Sequence, residues 1–195
     1  MNLKINDTVF DQFPDIETKN LILTSFAVQD AEELFKIRSD ERVTKYLDRD
    51  SHKTAAESKR MIEGIIRSYK DKTGLNWIIR EKATSEVIGY VGYWQLIREN
   101  VRAEIGYALK PEFWDRGYMS ETLLKVLEFG FGEFMLHSIM GNVNPHNKRS
   151  IRILEKFGFK KEAHFREDYL YNGKYLDSAI YCLLETDFPQ RSSEI

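Results

Sequence analysis

The sequence contains a single cysteine, and this scarcity excludes a fold held together by internal disulfides. Cys182 has no second cysteine with which to pair, and such low usage is typical of a reducing compartment. No apolar run reaches the roughly 18 residues that a membrane-spanning helix needs. The first residues, MNLKINDTVFDQF, lack the basic start and apolar middle of a secretory signal. We therefore expect a cytoplasmic protein.

Neither sign of charge is in large excess. Twenty-nine Lys and Arg residues face 31 Asp and Glu residues, which gives a formal net charge of -2. This balance favours neither a nucleic acid nor an anionic membrane as partner. The four histidines show no metal-ligand spacing with one another or with Cys182, so we expect no metal site.

What the chain does have is the composition and length of one globular domain. Its 195 residues are 42% hydrophobic and 31% charged, which is enough to bury a core of its own. We predict one domain over residues 1–195. By polarity and position, residues 1 to about 14 and 189–195 are expected to be loosely ordered ends.

The spacing of apolar residues predicts an α/β fold. The predicted order is β-α-α-β-β-β-α-β-α-β-β, a mixed and mostly antiparallel sheet flanked by helices. Three consecutive strand-like runs, LNWIIRE, VIGYVGYW and RAEIGYAL, are separated by short turns, so they should pair antiparallel. Asn172-Gly173 is a strong signal for a tight hairpin near the end of the chain.

The stretch PEFWDRGYMSETLLKVLEFGF, residues 111 to 131, combines a glycine turn with an amphipathic helix. Gly117 permits a close turn, and the N–H groups from Arg116 to Ser120 can converge on one anion at the helix N terminus. A pyrophosphate would suit that arrangement. The alternative is that Gly117 only makes a sharp turn between a strand and a helix.

This stretch resembles the acyl-CoA-binding motif of the GNAT superfamily of N-acetyltransferases, Q/R-x-x-G-x-G/A. Trp114 stands at the Q/R place and Met119 at the second G/A place, two departures from the pattern. The run GYALKPEFWDRGYMSE is similar to the RimJ/RimL-like branch, the ribosomal-protein N-terminal acetyltransferases. NVNPHNKRSIRILEKFGF and IETKNLILTSF resemble two further segments of that branch, although Thr24 replaces its usual arginine. The resemblance covers about residues 16 to 188.

The resemblance implies a binding site for acetyl-CoA. In that family the pantetheine amides pair with the free edge of the strand before the glycine loop, and Tyr107 and Leu109 match the pairing positions. An asparagine of the family matches Asn147, which is also a natural helix cap; Asn142 is a weaker candidate. Lys148, Arg149 and Arg152 either meet the ribose phosphate or form a solvated basic helix face. The implied acetyl-CoA contacts are Tyr107, Leu109, Trp114, Asp115, Arg116, Gly117, Tyr118, Met119, Ser120, Asn142 and Asn147.

The chemistry requires an uncharged amine. At pH 7 an α-amine costs roughly 1 kcal/mol to deprotonate and a lysine-like amine roughly 4.6 kcal/mol. Glu104 matches the place of a catalytic glutamate in several family members, or it is a surface glutamate; Asp177 is the reserve base. The family's usual tyrosine proton donor is replaced by Leu154. Ser150 matches a serine proposed for the ribosomal-protein branch, and it also suits the first turn of a capped helix.

Three hypotheses follow. The first is an N-acetyltransferase that moves acetyl from acetyl-CoA to a primary amine through a ternary complex. Its acceptor is a protein N-terminus or a small amine such as a polyamine, an amino acid or an antibiotic. The second is a CoA-binding sensor without turnover, and the third is an interaction domain that binds no CoA. A monomer or a homodimer is compatible with each of them.

Overall fold

The computed structural model describes residues 4–189, and the predicted alternation of strands and helices is present in them. The strands are β1 (Ile16–Glu17), β2 (Leu21–Thr24), β3 (Leu75–Glu81), β4 (Val87–Ile97), β5 (Arg102–Leu109), β6 (Ser138–Val143), β7 (Lys160–Tyr171) and β8 (Lys174–Leu184). The helices are α1 (Ala31–Ser39), α2 (Glu41–Thr44), α3 (Ala55–Lys70), α4 (Tyr118–Phe131) and α5 (Lys148–Lys156). The short elements β1 and α2 are additions to the predicted order.

One eight-stranded sheet has the order β1-β2-β3-β4-β5-β6-β8-β7. Every pairing among these strands is antiparallel except that of β5 with β6, which is parallel. The predicted α/β class with a mixed, mostly antiparallel sheet is therefore confirmed. The hairpin between β7 and β8 also turns as predicted, because Asn172 and Gly173 both have positive φ values, 48° and 74°, as this tight turn requires.

Helices cover both faces of the sheet. Buried residues of α4, with Leu154 of α5, pack against one face in the larger hydrophobic cluster. Buried residues of α1 and α3 pack against the other face, over β3, β4 and the end of β5. No helix in residues 4–189 combines the length and hydrophobicity that crossing a membrane would take.

The pairing of β5 with β6 is short, and this shortness creates the site. The two strands pair only from Arg102↔Ser138 to Glu104↔Met140. Strand β5 continues to Leu109 while remaining paired with β4 as far as Gly89. From about residue 105, therefore, the edge of β5 that faces β6 has no strand beside it. We call the opening between these strands the β5/β6 gap.

Residues 5–10, part of the segment expected to be loosely ordered, pack against the core. Ile5, Val9 and Phe10 are buried in the larger cluster. The Asn6 N–H donates to the Phe134 carbonyl at 3.1 Å. Polar residues lie between these three apolar residues in the sequence, so no hydrophobic periodicity indicates that they are buried. Of the two predicted ends, residues 1–3 and 190–195 lie outside the described residues.

Candidate functional site

The free edge of β5 presents backbone groups at the two predicted positions. Lys110 N–H donates to the Ile88 carbonyl at 2.8 Å, which fixes the alternation of bonded and non-bonded pairs along β4 and β5. By this alternation the N–H and C=O groups of Tyr107 and Leu109 point away from β4, into the β5/β6 gap. The Leu109 carbonyl accepts the Trp114 indole N–H at 2.9 Å. Three backbone groups, both of Tyr107 and the N–H of Leu109, thus remain for an extended amide-bearing ligand.

The glycine turn leaves the N terminus of α4 open. Gly117 has φ +84°, a conformation that glycine adopts without steric cost, and Asp115 has φ +59°. No side chain caps the helix, and its first turn closes with Glu121 N–H on the Gly117 carbonyl at 2.9 Å. A Cβ on Gly117 would meet no atom within 4 Å. The turn therefore faces open space with its N–H groups available to an anion.

The side chains of the first turn of α4 anchor it instead of filling that space. Glu121 accepts the Asn20 backbone N–H at 2.7 Å and its side-chain amide at 2.8 Å. The Tyr118 hydroxyl donates to Glu81 at 2.7 Å, and Met119 packs against the core. The predicted role of residues 118–120 in binding thus depends on their backbone N–H groups.

Basic residues of α5 lie across the cleft from the glycine turn. Arg149 pairs with Asp115 at 3.0 Å, and its guanidinium lies 4.8 Å from the centre of the Trp114 ring. Lys156 donates to Ser120 Oγ at 3.1 Å. Arg116 lies over the Phe113 ring. Where the family motif has Gln or Arg, this chain has Trp114 with an arginine from another helix lying over it.

The two asparagines have different positions. Asn147 Oδ1 accepts the Ser150 N–H at 3.1 Å and caps α5, so the capping alternative left open by the sequence is the contact present. Asn142 lies exposed on β6 opposite Ile180. It makes no hydrogen bond through its side chain in the described chain, so this amide remains available to a ligand.

Ser150 meets an unexpected partner. Its hydroxyl donates to the Tyr107 hydroxyl at 3.0 Å, and the Tyr107 hydroxyl lies 3.4 Å from the Ser150 carbonyl. The surrounding protein raises the pKa of Tyr107 through burial. Leu154 is 2% exposed in the core. Sequence reasoning assigned Tyr107 only a backbone role, because nothing in the sequence links positions 43 residues apart.

Glu104 lies on the opposite face of β5 from Tyr107, since successive side chains of a strand alternate. Its carboxylate makes no hydrogen bond within residues 4–189, and the side chain is half-buried. Burial raises the pKa of Glu104, while the charges of Arg49 and Arg102 act against that rise. A carboxylate with a raised pKa and no partner is suited to accept a proton.

A loop that follows α2 carries Arg49, whose charge acts on Glu104, and hydrogen bonds join this loop to the last hairpin. The Tyr169 hydroxyl donates to Asp48, and Asn144 Nδ2 contacts both oxygens of that carboxylate at 3.0 and 3.2 Å. The Tyr171 hydroxyl donates to Asp50 at 3.1 Å. The two tyrosine contacts join residues 121 positions apart, and nothing in the sequence indicates them beyond the aromatic content of the hairpin.

The other candidate side chains, Asp177 and Cys182, are poorly suited to catalysis. Asp177 accepts the Glu167 N–H at 2.9 Å and pairs with His164 at 2.7 Å; these contacts lower its pKa, which makes it a weak base. Burial raises the pKa of Cys182 to about 11, so its thiolate is scarce at neutral pH. Within residues 4–189 no three His, Cys, Asp or Glu side chains are placed to hold a metal ion. That the protein uses no metal stays a prediction.

Comparison with known proteins identifies what this arrangement is similar to. Residues 20–160 match the family model described as an acetyltransferase (GNAT) domain. The uncharacterized N-acetyltransferase YoaA of Bacillus subtilis is 36% identical over 173 residues, which is 89% of this chain and 98% of that protein. The ribosomal protein uS5-alanine N-acetyltransferase of Escherichia coli is 30% identical over 104 residues, 53% of this chain and 54% of that protein.

Solved structures share the fold. An acetyltransferase (GNAT family) from Bacillus anthracis has a TM-score of 0.80 at 24% identity and covers 89% of this chain and 99% of its own. RimL, a ribosomal L7/L12 alpha-N-protein acetyltransferase solved in complex with coenzyme A, has a TM-score of 0.78 at 18% identity and covers 88% and 98%. These structures show the predicted GNAT fold, and the relative named for uS5 adds a similarity to the ribosomal-protein branch over about half of the chain.

Proposed function

The chain belongs to the GNAT family of acetyl-CoA-dependent N-acetyltransferases, and from this premise we propose that it acetylates a protein N-terminus by direct transfer. The observation that carries the proposal is the β5/β6 gap, which has a free strand edge and the open glycine turn on its borders. Acetyl-CoA would pass through the gap with its thioester between Glu104 on one face and Ser150 on the other.

Each part of acetyl-CoA has matching groups along the cleft. The N–H groups from Arg116 to Ser120 would hold the pyrophosphate, since an uncapped helix N terminus favours an anion. Arg149 would add the positive charge that Trp114 does not supply. The free backbone groups of Tyr107 and Leu109 would pair with the pantetheine amides as an added strand does. Asn142 faces the same gap from β6, and Asn147 would act there through the α5 turn that it caps.

The reaction would proceed across the gap. The acceptor amine approaches on the Glu104 face, attacks the thioester carbonyl and loses a proton to Glu104. The C–S bond then breaks, and the sulfur leaves with the electron pair on the Ser150 face. Cys182, buried and with a pKa of about 11, is a poor acyl carrier, which supports direct transfer within a ternary complex over an acyl-enzyme.

The half-buried Glu104 carboxylate supports an α-amine acceptor. An α-amine costs only roughly 1 kcal/mol to deprotonate at pH 7, which asks little of a half-buried carboxylate. One relative is named as an alanine N-acetyltransferase of ribosomal protein uS5, and alanine has no amine besides its α-amine.

Thermal unfolding with and without acetyl-CoA tests the binding half of the proposal, with ATP as the anionic control. Ligand at about 100 times its dissociation constant should add roughly 2.7 kcal/mol. This corresponds to a rise in Tm of roughly 5 to 11 °C for a chain of this length. No rise at saturating acetyl-CoA would refute the proposed site.

Thiol release tests the catalytic half, with short peptides carrying a free N-terminus, N-blocked peptides with an internal lysine, and spermidine as acceptors. Thiol release that depends on the free N-terminus supports the proposal. Faster release with spermidine or with the internal lysine would mean that the acceptor is not a protein N-terminus. Intersecting initial-velocity lines are expected for a ternary complex, and parallel lines would contradict it. Binding without any turnover would leave the CoA-sensor hypothesis.

A further inference from the structure

The contact between the hydroxyls of Tyr107 and Ser150 bears on how the departing thiolate is stabilised, and the inference drawn from it rests on the proposed function. Ser150 and Leu154 are four residues apart on α5, so they share one face of that helix. Leu154, at the place of the family's tyrosine, is buried and has no proton to donate. The hydroxyl nearest to that place on this helix face is Ser150.

A serine hydroxyl has one proton, and in this structure that proton is engaged. Ser150 Oγ donates it to the Tyr107 hydroxyl at 3.0 Å, while the Tyr107 proton has only the Ser150 carbonyl, at a long 3.4 Å. Hydroxyl protons rotate to suit their surroundings. If Tyr107 instead donates to Ser150 Oγ, the Ser150 proton becomes free to point into the β5/β6 gap.

Negative charge in the gap would favour this reversal. A hydrogen bond to an anion is stronger than one between neutral groups, and a chain of two hydroxyls strengthens both bonds. Burial raises the pKa of Tyr107, so tyrosine keeps its proton in the presence of a thiolate whose pKa is about 8.5. The pair therefore works by hydrogen bonding, and no proton leaves it.

We propose that Tyr107 is a positioning residue for Ser150. As the C–S bond breaks, the Tyr107 hydroxyl donates to Ser150 Oγ, and the Ser150 hydroxyl donates to the departing thiolate. The amine proton goes to Glu104, and the sulfur leaves as a thiolate held by the Ser150 hydroxyl. The pair takes over the stabilising role at the place where Leu154 has no polar group.

The test measures the pKa of the thiol of bound coenzyme A, which needs no acceptor. Thiolate absorbance is followed against pH for the wild-type protein, Tyr107→Phe, Ser150→Ala and the double variant, with desulfo-coenzyme A complexes as blanks. The wild type should hold the thiol pKa below that of free coenzyme A, measured in the same buffers. Tyr107→Phe should raise the thiol pKa by about one pH unit, which is a tenfold change in the thiolate-to-thiol ratio. The same substitution should leave the thiol pKa unchanged in the Ser150→Ala background.

Tyr181→Phe is the matched control. Tyr181 is 4% exposed on the same face of the sheet, Glu155 of α5 acts on it, and its hydroxyl makes no hydrogen bond within residues 4–189. This variant should leave the thiol pKa of bound coenzyme A unchanged. An equal effect of both substitutions, or an unchanged pKa in Tyr107→Phe, overturns the inference.

The outcomes separate the inference from the proposed function. If coenzyme A binds and its thiol pKa is not lowered, the positioning role is refuted while the CoA site stands. If coenzyme A does not bind at all, both are refuted. Once an acceptor is known, Tyr107→Phe should lower kcat per site that binds coenzyme A and leave the KM for acetyl-CoA unchanged; counting the binding sites removes any contribution from unfolded protein.

Discussion

The two faces of the β5/β6 gap are built differently. On one face Glu104 stands half-buried without a hydrogen-bond partner, and burial raises its pKa. On the other face Ser150 is held twice, by its backbone N–H on Asn147 and by its hydroxyl on Tyr107. The difference agrees with the roles proposed for them. A base has to stay free to accept a proton, whereas a donor to a developing charge works best when it is fixed beforehand.

The largest effect is expected from substitution of Glu104, the residue without a hydrogen-bond partner. Glu104→Gln should lower kcat about 10²- to 10⁴-fold, the usual contribution of a general base, with the KM for acetyl-CoA unchanged. The part of the acidic limb of the pH–rate profile that is due to this carboxylate should disappear with it, and only the limb from protonation of the acceptor amine should remain. Steady-state kinetics against pH measures both. Glu99→Gln, an exposed carboxylate in the β4–β5 turn, is the control and should behave as wild type.

The same variant should not be less stable. Burial raises the folded-state pKa of Glu104 above its unfolded value, so ionisation of Glu104 costs stability as the pH rises past the unfolded pKa. At pH 7 the Tm of Glu104→Gln should therefore equal or exceed that of the wild type. The difference should vanish below about pH 4.3, where the group is protonated in both states. A clear loss of Tm would mean that Glu104 is a structural residue.

The next effect concerns the glycine turn. Gly117→Ala places a Cβ in the open space of the cleft at φ +84°, with a strain of about 1–2 kcal/mol. We expect acetyl-CoA affinity to fall at least about tenfold, measured by isothermal titration calorimetry. Gly173→Ala is the matched control, since Gly173 has φ +74° and also meets nothing within 4 Å. It should lose similar stability and keep full affinity; equal losses of affinity would contradict a role for Gly117 in binding.

A smaller effect is expected at Arg149. Arg149→Gln should weaken acetyl-CoA about tenfold, or about 1.4 kcal/mol, because a charge-assisted hydrogen bond to phosphate is lost, and added salt should narrow the difference. Its exposed pair with Asp115 contributes little to stability, so the Tm should hardly change. Arg152→Gln, on the same helix, is the control. Equal weakening by both variants would indicate a diffuse basic field instead of a placed guanidinium.

The fold was predictable because its signals are local. Apolar periodicity placed β3, β4, β5 and α4, and the positive φ values at Asn172 and Gly173 follow from the turn that those two residues favour. The cap of α5 by Asn147 is local as well, three residues from its partner. The positions of the CoA site came from the resemblance, and their roles stay predictions.

What the sequence did not reveal depends on long-range geometry. Tyr107 meets Ser150 only because β5 and β6 diverge and α5 returns over the gap, a consequence of the whole sheet order. Asp48 and Tyr169 are joined in the same indirect way. Phe10 is buried among polar neighbours because Phe134, far along the chain, packs against its ring and accepts the neighbouring Asn6 N–H. None of these pairs has a spacing that a periodic pattern could register.

The smallest effect is expected from a change that acts on the Glu104 side alone. Asp48→Asn weakens the contact with Tyr169 of the loop after α2, and Arg49 of this loop acts on Glu104. A less firmly held loop should raise the KM for the peptide acceptor a few-fold. The KM for acetyl-CoA and the thiol pKa of bound coenzyme A should both stay unchanged. Asp50→Asn, which removes a charge at the more exposed Tyr171 contact, is the control for charge alone. If Asp48→Asn instead raised the thiol pKa, the two faces would be coupled through β5, and the separation of their roles would be wrong.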